Sequence, residues 1–106
     1  MAVIKVNEEA FNETVKEGFW IADFYTDHCG PCKMLDIIIN DIIFDNPEVN
    51  LVKCNIEDSP AYAERFEIHG TPTLLYLVDG EIRERSEGAL PREMVEEYIS
   101  KAMYGE

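Results

Sequence analysis

Phe19-Trp20-Ile21-Ala22-Asp23-Phe24-Tyr25 is an apolar run broken by one carboxylate. After Thr26 and Asp27, His28-Cys29-Gly30-Pro31-Cys32-Lys33 opens a stretch in which Leu35, Ile38, Ile39, Ile42 and Ile43 recur at helical spacing. A strand without a polar face must be covered on both sides, and a stripe of this period marks a helix with one broad buried face. The pair predicts a central strand that hands the chain directly to a helix packed on the sheet. Because isoleucine is a poor helix former, packing rather than propensity must hold that helix.

The flanking sequence supplies the other layers. Ala2 to Val6 predicts a short strand, and Asn7 a cap for a helix whose first turn carries Glu8 and Glu9, with Phe11 and Val15 on its core face and Gly18 at its end. Val49 to Ile56 predicts a strand with Val52, Cys54 and Ile56 on one face and Leu51, Lys53 and Asn55 on the other. Ser59-Pro60 predicts a hydroxyl-capped helix start, with the proline at the first helical position and the end near Phe66. Thr73 to Val78, the turn Asp79-Gly80 and a polar return over Glu81 to Ser86 predict a hairpin with an edge strand. Met94, Val95, Tyr98, Ile99, Ala102 and Met103 mark a last amphipathic helix. The order predicts an α/β protein, a central mixed five-stranded sheet flanked by four helices on both faces. At 106 residues, without repeats or linkers, residues 1–106 are expected to form a single domain.

Charge narrows the partners. Nine Lys and Arg against 22 Asp and Glu give a net charge of −13, the wrong sign for nucleic acid or anionic lipid. The acidity is spread along the chain and suits a soluble monomer. No apolar stretch spans a bilayer and no basic leader precedes one, so a cytoplasmic protein is expected. In that compartment three cysteines, two of them three positions apart, read as catalytic or metal-binding rather than as a disulfide scaffold.

Cys29 and Cys32 lie where the central strand meets the second helix, the end at which α/β proteins place their sites. One helical step of three brings their Cα atoms within disulfide range, about 5–6 Å. The helix start aims unpaired N–H groups at Cys29, which favours its thiolate near neutral pH. Cys29 is therefore assigned as the nucleophile of disulfide exchange and Cys32, one turn inside the helix, as the resolving thiol. Zinc is the rival, but two thiolates and an adjacent His28 fall short of four ligands, so no metal is expected.

Ala22-Asp23-Phe24-Tyr25, Cys29-Gly30-Pro31-Cys32-Lys33, Gly70-Thr71-Pro72-Thr73, Asp79-Gly80 and Gly88-Ala89-Leu90, in this order, resemble the thioredoxin family over nearly the whole chain. The resemblance implies the thioredoxin fold and reduction of disulfides in client proteins. It implies no bound cofactor, with electrons supplied by a thioredoxin reductase that is NADPH- or ferredoxin-linked. It implies a cis bond before Pro72, which faces the cysteines, and pairing of the Thr71 backbone with a substrate strand. Apolar contacts around Gly30, Pro31, Thr71 and Gly88 would complete the substrate surface. It further implies that Asp23 is a buried proton acceptor beneath Cys32, with Lys53 as its neighbour.

Two positions depart from the family. His28 stands where Trp is usual, and a cation there would favour the Cys29 thiolate and a more oxidising couple, partly offset by Asp27. Gly30 and Pro31 also bear on that tuning. Ile37 stands where many members have proline, either exposed alone or part of a contact surface. The alternatives are thus a disulfide oxidase or isomerase tuned by His28, or a non-catalytic binding module. Cys54 is expected to be a small buried core residue and His69 a loop residue.

Overall fold

The computed structural model describes residues 3–105. Its strands are β1 (Val3–Lys5), β2 (Phe19–Tyr25), β3 (Val49–Asn55), β4 (Thr73–Val78) and β5 (Glu81–Glu87); its helices are α1 (Glu8–Val15), α2 (Gly30–Asp45), α3 (Ala61–Arg65) and α4 (Arg92–Tyr104). The strands form one mixed sheet in the order β1-β3-β2-β4-β5. β3 runs parallel to both β1 and β2, while β4 is antiparallel to β2 and β5 to β4. The apolar run of β2 thus lies at the centre of the sheet.

Alternation along β2 divides the core in two. Phe19 and Ile21 pack with Leu35, Ile39, Ile42 and Ile43 of α2 and Val95 and Ala102 of α4. Trp20, Ala22 and Phe24 pack on the other face with Phe11 and Val15 of α1 and with Tyr62 of α3. Period-two side chains on a doubly covered strand require this arrangement, so helices on both faces follow from the sequence of β2. Ile38 is half-buried at the edge of the α2 stripe.

Local signals account for most boundaries. The Asn7 side chain accepts the Ala10 N–H at 3.1 Å, capping α1. Asp79 and Gly80 both take positive φ, 49° and 82°, which twists the β4–β5 turn to match its strands. Other expectations need correction. Ser59 makes no hydroxyl cap: α3 begins at Ala61, with Pro60 in the cap position, and the Ser59 carbonyl accepts the Tyr62 N–H. The backbone turn satisfies the donor that a hydroxyl would have taken. β3 stops at Asn55, where the Asn55 side chain accepts the Glu57 N–H and turns the chain out of the sheet, leaving Ile56 outside. β5 runs one residue beyond Ser86, to Glu87 paired with Thr73. Met94 is exposed, whereas Val95 and Ala102 are the buried residues of α4, so the buried face of the helix is narrower than its apolar spacing predicts. Of the strand expected over Ala2 to Val6, Ala2 lies outside the described residues, and Val6 follows the strand with its N–H bonded to the Lys53 carbonyl.

Candidate active site

β2 ends at Tyr25, and four residues later Cys29 caps α2 with extended backbone, its sulfur accepting the Cys32 N–H at 3.1 Å. Proline in the first turn costs no hydrogen bond, because that N–H has no helical partner. Gly30 and Pro31 are exposed, whereas Cys29 is 8% and Cys32 3% exposed. The two cysteines are joined as a disulfide with Cα atoms 5.2 Å apart. Cys29 is thus the sulfur nearer solvent, and it sits where the N–H groups and positive end of a sixteen-residue helix favour negative charge.

The second wall comes from distant sequence. The Thr71–Pro72 peptide bond is cis, and Pro72 is buried immediately before β4. The Thr71 hydroxyl donates to the Cys29 sulfur at 3.4 Å, and the Thr71 carbonyl oxygen lies 3.7 Å from it. Gly88 follows β5 with φ of 87° and donates its N–H to the Pro72 carbonyl at 2.9 Å. The positive φ suits glycine, and the bond ties the end of β5 to the Thr71–Pro72 segment. Gly30 and Pro31 therefore lie between the two cysteines in the chain, Thr71 reaches the Cys29 sulfur across the fold, and Gly88 is bonded to Pro72 beside Thr71.

Beneath α2, Asp23 of β2 is 1% exposed, and neither carboxylate oxygen makes a hydrogen bond among the described residues. Lys53, its register partner on β3, places Nζ 3.2 Å from Asp23 Oδ2, an ion-pair distance without hydrogen-bond alignment. Burial raises the Asp23 carboxyl from 3.8 to about 7; Lys53 opposes the shift and Asp36 adds to it. Burial pushes Lys53 down, but Asp23 and Asp36 outweigh it and hold the ammonium above its ordinary range. Asp36 is the site residue that sequence reasoning missed. It lies on α2 one turn beyond Cys32, and its Oδ1 is 2.6 Å from Lys53 Nζ, closer than Asp23. An acid four residues after Cys32, beside Leu35 of the buried stripe, was its signal in the sequence.

His28 is exposed at the mouth of the site. The Asp27 carboxylate accepts from the Asn55 side chain at 3.1 Å. Ile37 is 67% exposed on α2, His69 is exposed in its loop, and Cys54 is fully buried against the α1 and α3 face. Burial pushes the Cys54 thiol up to about 12. Among the described residues no cluster of three or more His, Cys, Asp or Glu could hold a metal, and no helix is long and apolar enough to cross a membrane.

The family model Thioredoxin matches residues 2–101. The chain is 32% identical over 102 residues to a thioredoxin of Staphylococcus saprophyticus and to one of Bacillus subtilis, covering in each case 95% of this chain and 98% of the relative. Among solved structures it resembles a mutant thioredoxin of Halobacterium salinarum, with a TM-score of 0.84 at 25% identity, covering 95% of this chain and 90% of that one. It also resembles the oxidized form of mitochondrial thioredoxin 3 of Saccharomyces cerevisiae, with a TM-score of 0.82 at 31% identity, covering 91% of this chain and 92% of that one.

Proposed function

The chain belongs to the thioredoxin family, and from that premise we propose how its residues divide the work of a protein-disulfide reductase. The enzyme is a thiol–disulfide oxidoreductase with a redox-active Cys29–Cys32 pair. In the reducing direction the Cys29 thiolate attacks one sulfur of a client disulfide, forming a mixed disulfide and expelling one client thiolate. Asp23 takes the proton from the Cys32 thiol, and the Cys32 thiolate attacks Cys29. The Cys29–Cys32 bond forms, the second client thiolate leaves, and two electrons have passed to the client. A carboxyl with a midpoint near 7 suits this proton transfer at neutral pH.

In this reading the Thr71 backbone pairs with an extended client segment, and Gly30, Pro31, Pro72 and Gly88 supply its apolar surroundings. Lys53 serves Asp23 as its counter-charge. Residues 1–106 act as one thioredoxin-like domain, monomeric and cytoplasmic, with no bound cofactor. A thioredoxin reductase, NADPH- or ferredoxin-linked, reduces the Cys29–Cys32 disulfide after each turnover, and the partners are that reductase and disulfide-containing client proteins.

The observation that carries the reading is the Cys29 sulfur, capping α2 with Thr71 against it. The thioredoxin relatives favour it over an oxidase or isomerase and over a non-catalytic binding module. Its test is the reduction potential of the Cys29–Cys32 pair in defined thiol–disulfide buffers. A potential below the glutathione couple is expected; one well above it would transfer the protein to the oxidase or isomerase reading.

A further inference from the structure

Lys53 stands between two acids of unequal exposure. Asp23 is buried, while the Asp36 side chain is 36% exposed at the rim of α2. The lysine lies nearer the exposed acid, 2.6 Å against 3.2 Å, and donates a hydrogen bond to Asp36 Oδ1. Its ammonium also lies 4.5 Å from the centre of the Tyr25 ring. Three elements thus hold one cation in place: Tyr25 on β2, its own position on β3, and Asp36 on α2. Asp23 is left with an ion-pair partner that does not hydrogen-bond to it.

We propose that Asp36 is a positioning residue for the proton-transfer site: by holding the Lys53 ammonium it keeps Lys53 from fully neutralising Asp23, so that Asp23 remains able to take up the proton of the resolving thiol. This rests on the reading of Asp23 as proton acceptor. A charge-assisted bond at 2.6 Å orients the ammonium toward Asp36, and the negative charge of Asp36 itself disfavours a second carboxylate nearby. Both effects act in the same direction on Asp23. Leu74, its register partner on β4, is apolar and buried; Cys54 of β3 belongs to the opposite core face; Cys32 and Cys29 are the reacting pair.

Asp36 is also partly open to solvent. It occupies the position one turn after Cys32, so its charge lies on the same side of α2 as the resolving thiol. The pair is part-buried, and Asp36→Asn keeps the shape of the side chain while removing its charge, so the consequence expected of that change is on ionisation.

The test is the ionisation midpoint of the Asp23 carboxyl, followed by carbon NMR in the full, reduced chain with Asp36→Asn. The midpoint is expected to fall by about half a pH unit or more, and Asp36→Glu, which restores the charge, is expected to recover most of the shift. An unchanged or raised midpoint in Asp36→Asn would overturn the proposal, as would an Asp36→Glu midpoint no nearer the parent's. The reading beneath it is checked separately by the pH dependence of mixed-disulfide resolution in Asp23→Asn. If removing Asp23 leaves that profile unchanged, Asp23 is not the proton acceptor and the proposal falls with it. If the profile changes while Asp36→Asn leaves the midpoint in place, only the role of Asp36 fails.

Discussion

The Cys32 backbone N–H meets the Cys29 sulfur at 3.1 Å, so the turn of α2 that carries the second thiol also stabilises negative charge on the first. The arrangement is directional, since Cys29 is the cap of α2 while Cys32 lies deeper, inside its first turn. Cys32→Ser is expected to trap covalent mixed disulfides with client proteins, whereas Cys29→Ser is expected to trap none. Non-reducing gels of each variant mixed with an oxidised client decide the matter, and equal trapping by both would reverse the assignment.

His28 is an exposed neighbour of Cys29. If its charge supports the Cys29 thiolate, His28→Trp removes that support and lowers the reduction potential of the pair. A shift on the order of 30 mV, corresponding to tenfold in the exchange equilibrium, would be resolved in glutathione buffers. An unchanged potential would remove His28 from the tuning of the couple.

Asp23 is a buried acid whose midpoint is raised from 3.8 to about 7 by burial, and the sign of its effect on stability follows. Between those values the folded chain holds a proton that the unfolded chain has lost, so the contribution of Asp23 worsens as pH rises from about 4 to 7 and then levels off. Asp23→Asn is expected to stabilise the protein at pH 8 by on the order of a few kcal/mol, with the gain vanishing near pH 4. Urea unfolding at the two pH values measures it. A loss of stability at pH 8 would mean that Lys53 more than offsets the burial of the charge.

Cys54 combines full burial with a thiol pushed up to about 12. Since the thiolate is the species that alkylates, iodoacetamide is expected to modify Cys29 in the reduced native protein and to reach Cys54 only after denaturation. Peptide mass mapping of both states reads the result; modification of Cys54 in the native state would contradict its burial.

Gly88 holds a φ of 87°, and a Cβ there would meet nothing within 4 Å. Its replacement by alanine therefore costs conformation rather than space, about 1–2 kcal/mol. The bond from Gly88 N–H to the Pro72 carbonyl ties that cost to the Thr71–Pro72 segment, the substrate surface proposed above. Gly88→Ala is expected to lower stability by that amount and to raise KM for protein disulfides more than it lowers kcat. A lower Tm with unchanged KM would leave Gly88 as a turn residue only.

Short-range patterns account for what could be read from the chain itself. The apolar run of β2, the isoleucine stripe of α2, the cap at Asn7 and the Asp79-Gly80 turn each act within a few residues, and the structure has all four. The Cys29-Gly30-Pro31-Cys32 motif at a helix start was legible for the same reason. Misreadings of this local kind were small: Ser59 lost its expected capping bond to a backbone turn, and Met94 lies outside the buried face that Val95 and Ala102 form.

The rest of the site depends on which strands become neighbours. Thr71 reaches a sulfur 42 positions away because β4 pairs with β2, and Gly88 reaches Pro72 because β5 pairs with β4. Lys53 meets Asp23 through the parallel register of β2 and β3, and Asp36 joins them only because α2 lies over that face of the sheet. A sequence determines such groups one at a time, through forces that act over a turn or a strand. Their distances, the burial of Asp23 and the division of Lys53 between two acids were decided by packing, which brings together residues that carry no local sign of one another.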